Sequence, residues 1–380
     1  MDLSGNQKSI VVVGAGFAGA STAFHLTRMG MEKVIVLEQE KVPGIHASGR
    51  NAAMIRQVVP QESIAALARG GAAFVRQLPS DWPVETIFDQ KGSFLLASEK
   101  DSAKLKQDSA IALECGVPTE WWPIDRIVEA MPILAGSTAT GGVWSPTDGV
   151  IDIHGLLQGY LAAAAASGAE LKFSSSVRQI IVRRNKVCAI QTESEEIVTD
   201  VLINAAGAWV QQIGLLAGAA HIPLVPYRRH LFVTQPLDWV QAEWPIIWDL
   251  SQDIYFRPES GGLLLCPCDE EAQRPGDAAD DPTVLQMLAD KVMRFYPKLS
   301  DLPIRRSWAG LRTLTPDRLF TLGWDPSLEG FFWLAGLGGH GVTVSYSVGL
   351  LAASLITQKI PTQLAVELAP DRFCEHRDVT

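Results

Sequence analysis

The spacing of apolar residues changes twice within the first forty positions. A continuous apolar run at residues 10–13 predicts a buried strand, and residues 18–29 have the composition of a helix, with Gly30 as its C-cap. A second apolar run at residues 33–37 ends in the acidic residue Glu38. This order predicts a strand–turn–helix–strand unit.

The same patterns continue along the chain. Helices are expected at residues 61–77, 156–167, 284–295 and 342–357. Strands are expected at residues 92–98, 170–173, 177–182, 186–190, 197–199, 201–204 and 331–335. Between about 222 and 310 the strands alternate, at residues 230–234, 253–257, 262–267 and 304–308. We therefore expect an α/β protein in which a mostly antiparallel sheet is inserted into a parallel-sheet domain.

The turn after the first strand reads Gly14-Ala-Gly16-Phe-Ala-Gly19. In a dinucleotide-binding unit Gly14 allows the tight turn, Gly16 lets the backbone approach a pyrophosphate, and Gly19 lets helix and strand pack closely. Glu38 follows the last glycine at the distance from which a carboxylate binds a ribose diol. The complete unit predicts a dinucleotide site, with an ordinary βαβ turn as the alternative.

Length, charge and cysteine content exclude several classes of protein and partner. The chain has 380 residues, more than one hydrophobic core usually holds, and a formal net charge of −10 that argues against nucleic acid and anionic membranes as partners. Residues 1–9 lack the features of a signal peptide, and no apolar run is long enough to span a bilayer. Five scattered cysteines predict reduced thiols in a cytoplasmic protein, and we expect Cys266-Pro-Cys268 to be buried, not to bind metal.

Five segments together resemble the FAD-dependent amine and amino-acid oxidoreductases of the D-amino acid oxidase superfamily. They read GAGFAGAS near the start, HASGRNAA after the second strand, LINAAGAW in the middle, and SWAGLRTLTPD and GFFWLAGLGGHGV near the end. The resemblance runs nearly end to end and implies FAD, not NAD. It also implies a discontinuous Rossmann-like FAD-binding domain at residues 1–85, 147–221 and 311–380, with a substrate domain at residues 86–146 and 222–310.

The resemblance carries a set of cofactor contacts onto this sequence. They are Gly14, Gly16, Phe17, Ala18, Gly19, Glu38, Gln39, Ser48, Gly49, Arg50, Asn51, Ala53, Val177, Ala206, Gly207, Gly338, Gly339, His340, Gly341, Val342 and Thr343. Gly338 to Thr343 would face the pyrimidine end of the flavin, with a plain helix entry as the alternative. Relatives that attach the flavin covalently use a cysteine near position 311, which is absent here, so noncovalent FAD is expected. His46 is the other candidate for a covalent link.

Four residues are the catalytic candidates. The resemblance implies that Arg312 clamps the substrate α-carboxylate, which its planar fork binds bidentately, and that Tyr255 donates a second hydrogen bond to it. Their alternatives are a surface ion pair of Arg312 with Asp317 and an ordinary sheet tyrosine. His340 would tune deprotonation of the amine or cap the final helix.

Arg56 is the fourth candidate. If it faces the cavity, a second anionic group on the substrate becomes attractive; the alternative is a surface pair with Glu62. Members of the family that oxidise D-arginine have His-Tyr where this chain has Met54-Ile55, and an acidic residue where it has Ser93. D-Arginine is therefore not expected to be the substrate.

Three functions follow as hypotheses. The favoured one is FAD-dependent oxidation of an amino acid or N-substituted amino acid at its Cα–N bond, by a dehydrogenase or oxidase. The second is oxidation of a 2-hydroxy acid, which requires a histidine base. The third is a flavin-containing assembly factor or subunit of a larger complex. The electron acceptor (oxygen, a quinone or another molecule), the stereochemistry and the oligomeric state, a homo-oligomer included, stay open.

Overall fold

The computed structural model describes residues 8–358 and 362–374. Expectations that concern residues 1–7, including most of the segment inspected for a signal peptide, lie outside the described residues, as do those for residues 359–361 and 375–380. No helix within the described ranges is long and apolar enough to cross a membrane.

Strands and helices alternate through most of the chain. The strands are β1 (Ser9–Val13), β2 (Lys33–Leu37), β3 (Met54–Ile55), β4 (Phe88–Asp89), β5 (Ser93–Ala97), β6 (Glu120–Pro123), β7 (Gly141–Ser145), β8 (Gly149–Ile151), β9 (Glu170–Lys172), β10 (Gln179–Arg183), β11 (Lys186–Gln191), β12 (Glu196–Val198), β13 (Val201–Asn204), β14 (Val225–Thr234), β15 (Ile246–Asp249), β16 (Ile254–Glu259), β17 (Gly262–Cys266), β18 (Glu271–Ala272), β19 (Ile304–Leu314), β20 (Thr321–Trp324) and β21 (Phe331–Ala335). The α-helices are α1 (Phe17–Arg28), α2 (Glu62–Arg76), α3 (Glu99–Glu114), α4 (Ile124–Ala130), α5 (Ile153–Ala166), α6 (Val210–Ala217), α7 (Pro282–Phe295), α8 (Ser345–Thr357) and α9 (Gln363–Glu367). Short 3-10 turns occupy Pro132–Leu134, Gly207–Trp209, Pro297–Leu299 and Pro370–Phe373.

A six-stranded sheet contains the predicted glycine-rich unit. Its order is β20–β21–β13–β1–β2–β9, and its pairs are parallel except β20 with β21. Ile10 and Val12 of β1 pack into the core formed with α1, α5 and α8, whereas Val11 and Val13 face the core on the other side. Because both faces are covered, the strands are continuous apolar runs, as expected for a buried parallel sheet.

A nine-stranded sheet lies beside it. The order is β18–β14–β17–β16–β15–β5–β7–β6, with β19 paired to β14. Its pairs are antiparallel except β15 with β5, so the prediction of a mostly antiparallel sheet is confirmed. The strand β19 runs from Ile304 to Leu314 and is longer than the sequence pattern predicted. Its end brings Arg312 towards the six-stranded sheet.

Several helices differ from the sequence-based expectation, since α3, α4, α6 and α9 were not predicted. The last long helix begins at Ser345 and not at residue 342, because residues 341–344 form a turn in which the Val344 amide donates to the His340 carbonyl (3.0 Å). The helix α3 was missed because it is polar along most of its length and buries only four residues, which leaves little apolar periodicity to detect.

Candidate functional site

The turn after β1 has the geometry that the sequence predicted. Gly14 has a φ of +106°, which disfavours any other residue, and its amide donates to the Leu37 carbonyl (2.8 Å). A Cβ atom on Gly14 would lie 2.5 Å from the Ala205 carbonyl oxygen, and one on Gly19 would lie 1.9 Å from the Gly14 carbonyl oxygen. The turn therefore closes against both its own helix and the end of β13.

Glu38 closes the same turn from β2. Its carboxylate accepts hydrogen bonds from the Ala15 amide (2.9 Å) and the Glu40 amide (3.0 Å), one on each oxygen. Each oxygen keeps a further lone pair that can accept a hydroxyl group. Glu38 lines a cavity of about 380 Å³, which fits the predicted role of binding a diol.

The segment at residues 44–53 covers the start of α1. The Ser48 hydroxyl accepts a hydrogen bond from the Phe17 amide (3.0 Å), and a Cβ atom on Gly16 would lie 2.8 Å from that hydroxyl oxygen. Gly16 is thus needed for the approach of Ser48, a contact that the sequence did not reveal. The Asn51 amide donates to the Ser48 carbonyl (2.8 Å), and its oxygen accepts from the Ala53 amide (2.8 Å), which fixes the loop.

The first cavity lies over the carboxyl ends of β1, β2 and β13, where α/β sheets bind ligands. Nine of the predicted cofactor contacts line it: Gly14, Gly16, Glu38, Gln39, Ser48, Arg50, Val177, Ala206 and Gly207. Leu311, beside the candidate clamp, lines it as well. Trp209 also lines it, with its ring 4.5 Å from the His46 ring. Trp209 was missed as a site residue because tryptophan is more often a packing residue.

A second cavity of about 160 Å³ continues the first. The two share lining residues, among them Gly16, Ser48, Arg50 and Leu311. The wall of the second cavity adds Phe17, Ala18, Asn51, Met54, Arg56, Arg229, Leu231, Trp248, Arg312, Thr313 and the turn at residues 336–343. The predicted loop, clamp and C-terminal turn thus meet at one groove between the two large sheets.

Three predicted contacts do not line either cavity. Gly19 lies behind the turn, Gly49 packs against Gly44, where a Cβ atom would lie 2.0 Å from the Gly44 carbonyl oxygen, and Ala53 has a φ of +57° and accepts a hydrogen bond from the Ile151 amide (2.9 Å). Each shapes the groove through the backbone.

Arg312 reaches the second cavity from β19. Its Nη2 donates to the Tyr255 hydroxyl (3.3 Å), and Nη1 lies against Gly339, where an added Cβ atom would be 3.0 Å away. Asp317 instead accepts a hydrogen bond from Arg372 Nε (2.8 Å), so the alternative of an Arg312–Asp317 surface pair is wrong. Among the described residues no carboxylate oxygen lies within 4.0 Å of the Arg312 guanidinium.

Tyr255 lies behind Arg312. Its side chain is fully buried, its ring is 4.7 Å from the Trp248 ring, and it is not part of the cavity wall. Burial, together with the neighbouring Cys266, raises the pKa of the Tyr255 hydroxyl well above its usual value. The hydroxyl therefore stays protonated and holds Arg312 in place.

Arg56 faces the second cavity. Its Nη1 donates to the Val58 carbonyl (2.6 Å), its Nη2 lies 3.2 Å from His340 Nε2, and its guanidinium carbon lies 4.4 Å from the centre of the Trp248 ring. It makes no ion pair with Glu62, so that alternative is wrong. Burial lowers the pKa of Arg56 to about 10, which leaves it charged at neutral pH.

His340 is held neutral beside Arg56. Burial, reinforced by the charges of Arg56 and Arg312, lowers the pKa of His340 to about 3. Since Arg56 can only donate, His340 Nε2 accepts from it and the ring proton lies on Nδ1. The alternative that His340 caps α8 is wrong, because the N-cap position is Val344 and no side chain caps it.

Two other predictions concern buried groups. Ser93 does not reach the cavity; its hydroxyl is buried and donates to Asp148 (2.6 Å). Cys266 is fully buried, as expected, but Cys268 is only half-buried, so the prediction of burial is correct for one cysteine of the pair. Within the part of the chain that the structure describes no cluster of three metal-ligating side chains occurs.

Acid is expected to destabilise the fold through His25 and His340. Burial lowers the pKa of His25 to about 4 and that of His340 to about 3, whereas both titrate near 6.5 when unfolded. As the pH falls, these histidines therefore take up protons in the unfolded chain before they do so in the folded protein. The free energy of unfolding consequently falls as the pH drops below 6.5, by about 1–2 kcal/mol per histidine at pH 5.

Urea unfolding at pH 7.5 and pH 5.0 measures this effect. His340→Gln should lose part of the pH-dependent fall, whereas His154→Gln, an exposed position on α5, should keep all of it. An equal fall in His340→Gln and the unmodified protein would contradict the assignment.

Comparison with known families gives a match over most of the chain. The family model described as FAD dependent oxidoreductase (DAO) matches residues 9–355. The mitochondrial pyruvate dehydrogenase phosphatase regulatory subunit of Mus musculus is 26% identical over 97% of this chain and 43% of its own length. The mitochondrial dimethylglycine dehydrogenase of Homo sapiens is 26% identical over 96% of this chain and 44% of its own length. The chain thus spans less than half of either relative.

A solved structure matches over nearly its full length. The L-proline dehydrogenase from P. horikoshii superposes with a TM-score of 0.87 and 26% identity, covering 96% of this chain and 97% of that one. The fold, with both large sheets, is therefore that of a flavoprotein family, as the sequence resemblance implied.

Proposed function

This chain belongs to the family of FAD dependent oxidoreductases (DAO), and from that premise we propose that it oxidises an amino acid or N-substituted amino acid at the Cα–N bond. The product imine is hydrolysed by water to a keto acid and ammonia or an amine. Bound FAD supplies the acceptor for the hydride that leaves the α-carbon. The observation that carries the proposal is an arginine without a carboxylate partner, Arg312, in a cavity continuous with the dinucleotide groove.

The residues present fit FAD. Glycines stand where a Cβ atom would collide with the turn, the N-cap residue of α1 is Gly16, which has no side chain to cap the helix, and Glu38 retains free lone pairs. The residues that would hold the cofactor are those carried over from the family motifs that line the two cavities, whereas Gly19, Gly49 and Ala53 shape the groove through the backbone. Noncovalent binding is supported by the absence of a cysteine at positions 310–313 and by His46, whose Nε2 is 2.9 Å from Glu40 Oε1.

Arg312 binds the substrate carboxylate in this proposal. Two parallel N–H donors of a guanidinium match the two carboxylate oxygens and so fix the orientation of the α-carbon. Tyr255 restrains the guanidinium from behind, and the apolar side chains of Met54, Leu231 and Trp248 exclude water from the cavity wall. The arginine-lined wall would repel a guanidinium side chain, which supports the exclusion of D-arginine.

The lack of a suitable base in the site favours an amine substrate over a hydroxyl substrate. A 2-hydroxy acid needs a base for its hydroxyl proton, and His340 is a poor one because its pKa is lowered by burial to about 3 and its Nε2 accepts a hydrogen bond from Arg56. An amine can lose its proton to bulk water before binding, so the amino acid reaction needs no buried base. The 2-hydroxy acid activity is the second candidate.

A subunit or assembly role is the remaining candidate, since one relative is named as a regulatory subunit. Arg312 supports an enzyme, because Tyr255 holds it in the cavity without a carboxylate partner. A scaffold has no need of such an arginine. We further propose that the chain is divided into FAD-binding and substrate domains at the boundaries predicted above. We also propose a cytoplasmic location, formation of a homo-oligomer, and oxygen or a quinone as electron acceptor. Free cysteines support the location.

An anaerobic titration tests the proposed function. Purified flavin-loaded protein is mixed with D- and L-amino acids, N-methyl amino acids and 2-hydroxy acids, and the visible flavin absorbance is followed. Bleaching by one amino acid class is the expected result, and readmitted air then shows whether oxygen is the acceptor. Bleaching by 2-hydroxy acids alone would overturn the amino acid assignment, and no bleaching by any of them would favour the subunit role.

A further inference from the structure

The second cavity has an unusually uniform charge. Its wall contains Arg50, Arg56, Arg229 and Arg312, and no aspartate or glutamate. The whole chain carries a formal net charge of −10, so the charge of the cavity wall is opposite in sign to that of the whole chain. A concave wall whose charged side chains are all positive attracts anions.

Two of these arginines have carboxylate partners. Arg50 lies 2.5 Å from Asp277, and Arg229 lies 3.1 Å from Glu270. Arg56 and Arg312 have no carboxylate oxygen within 4.0 Å among the described residues. Both are half-buried, and a partly desolvated cation without an opposite charge is costly, so both arginines are poised to bind an anion.

Asp148 is the acidic group that acts most strongly on Arg56, but it does not pair with it. Its carboxylate is fully buried and accepts hydrogen bonds from Ser93 (2.6 Å) and from the Gln57 side chain (2.8 Å) and backbone (3.2 Å). It lies outside the cavity wall. Among the described residues, only two of the five N–H groups of Arg56 have partners, so Arg56 keeps free donors.

Both free arginines border the same turn. Arg312 packs against Gly339 and Arg56 against His340, the next residue. A row of aromatic rings fixes them from behind: Arg56 lies over Trp248, Trp248 packs on Tyr255, and the Tyr255 hydroxyl binds Arg312. The two guanidinium groups are thus held as a pair and not as independent surface charges.

We propose that the substrate is a dicarboxylic amino acid, whose α-carboxylate binds Arg312 and whose second carboxylate binds Arg56. This assignment deepens the proposed amino acid oxidation and rests on it. The competing arrangement, in which both arginines hold a single carboxylate, would leave no preference for a second anionic group.

Equilibrium binding of unreactive anions separates these arrangements. Isothermal titration calorimetry of the flavin-loaded protein would compare malonate, succinate and glutarate with acetate, propionate and butyrate. At least one dicarboxylate should bind about 10- to 100-fold more tightly than every monocarboxylate, as expected for one additional charge-assisted contact. Dicarboxylates that bind no more tightly than monocarboxylates would overturn the proposal.

Variants locate the second contact. Arg56→Gln should remove the preference for the dicarboxylate, whereas Arg312→Met should weaken the binding of both classes of anion. Arg183→Gln, which removes an exposed charge from β10, is the control for net charge and should change neither. Bound flavin per chain, measured from the visible spectrum, checks that each variant is folded. Unchanged dicarboxylate preference in a folded Arg56→Gln would refute the role of Arg56.

Flavin reduction by glutamate, compared with isosteric glutamine, then links binding to the reaction. Faster reduction by glutamate or aspartate than by the amides is expected. If dicarboxylates bind tightly but no amino acid reduces the flavin, the proposed function fails while the anion site stands. If amino acids reduce the flavin without any dicarboxylate preference, the opposite holds.

Discussion

Arg312→Met is expected to lower kcat/KM for the amino acid substrate by about two to three orders of magnitude. The arginine has no carboxylate partner in the protein, so its guanidinium is free to bind the substrate carboxylate bidentately. Removing one partner of a buried, hydrogen-bonded charge pair costs about 2–5 kcal/mol, and every 1.4 kcal/mol is a factor of ten. Most of the loss should appear in KM, because the contact exists in both the bound substrate and the transition state.

The same strand provides a matched control. Arg305→Met removes an exposed arginine from β19 and should leave kcat/KM within about twofold. Tyr255→Phe removes only the hydroxyl that holds Arg312, so its loss should be smaller, about three- to tenfold. Steady-state kinetics with the substrate found by flavin titration measures all three. An Arg312→Met enzyme with unchanged KM would refute the carboxylate clamp.

Gly19→Ala is expected to abolish FAD binding and lower the unfolding temperature by several degrees. An added Cβ atom would lie 1.9 Å from the Gly14 carbonyl oxygen and 3.0 Å from Val12 Cγ1. Since backbone cannot yield as a side chain can, α1 must move away from β1. Overpacking of this kind costs about 1–3 kcal/mol, and the shift also distorts the turn that faces the cofactor.

Flavin content per chain and thermal unfolding are the two readouts. Gly276→Ala is the control for stability, because its Cβ atom would meet no heavy atom within 4 Å and its φ is not in the left-handed region. It should unfold at the same temperature as the unmodified protein. Full flavin occupancy in Gly19→Ala would show that helix α1 need not pack as closely as the structure has it.

The cofactor turn could be predicted because its determinants are local. Gly14, Gly19 and Glu38 lie within 25 residues of one another, and their roles follow from backbone sterics that do not depend on the rest of the fold. The apolar runs of β1 and β2 likewise reveal a sheet that is buried on both faces. The arginine at position 312 was found through a motif, not through any pattern of spacing.

The arrangement of the second cavity depended on contacts between distant segments. Arg56, Trp248, Tyr255, Arg312 and His340 come from four separate parts of the chain, since Trp248 and Tyr255 pair across β15 and β16. Their positions depend on the register of β19 against β14 and on how the two sheets pack. The sequence alone did not decide whether Arg56 lies on the surface or in the cavity, because an arginine suits both environments.

The sequence by itself therefore determined the fold class and a dinucleotide site, since these depend on short glycine-rich segments and periodic apolar runs. The family and the choice of FAD came from the resemblance of five segments to known flavoproteins. Only the tertiary structure decided that Arg56 faces the cavity, that Tyr255 stands behind Arg312, and that His340 is neutral. The physical reason is that charge state and partner choice depend on burial and on neighbours hundreds of residues away, which no local pattern encodes.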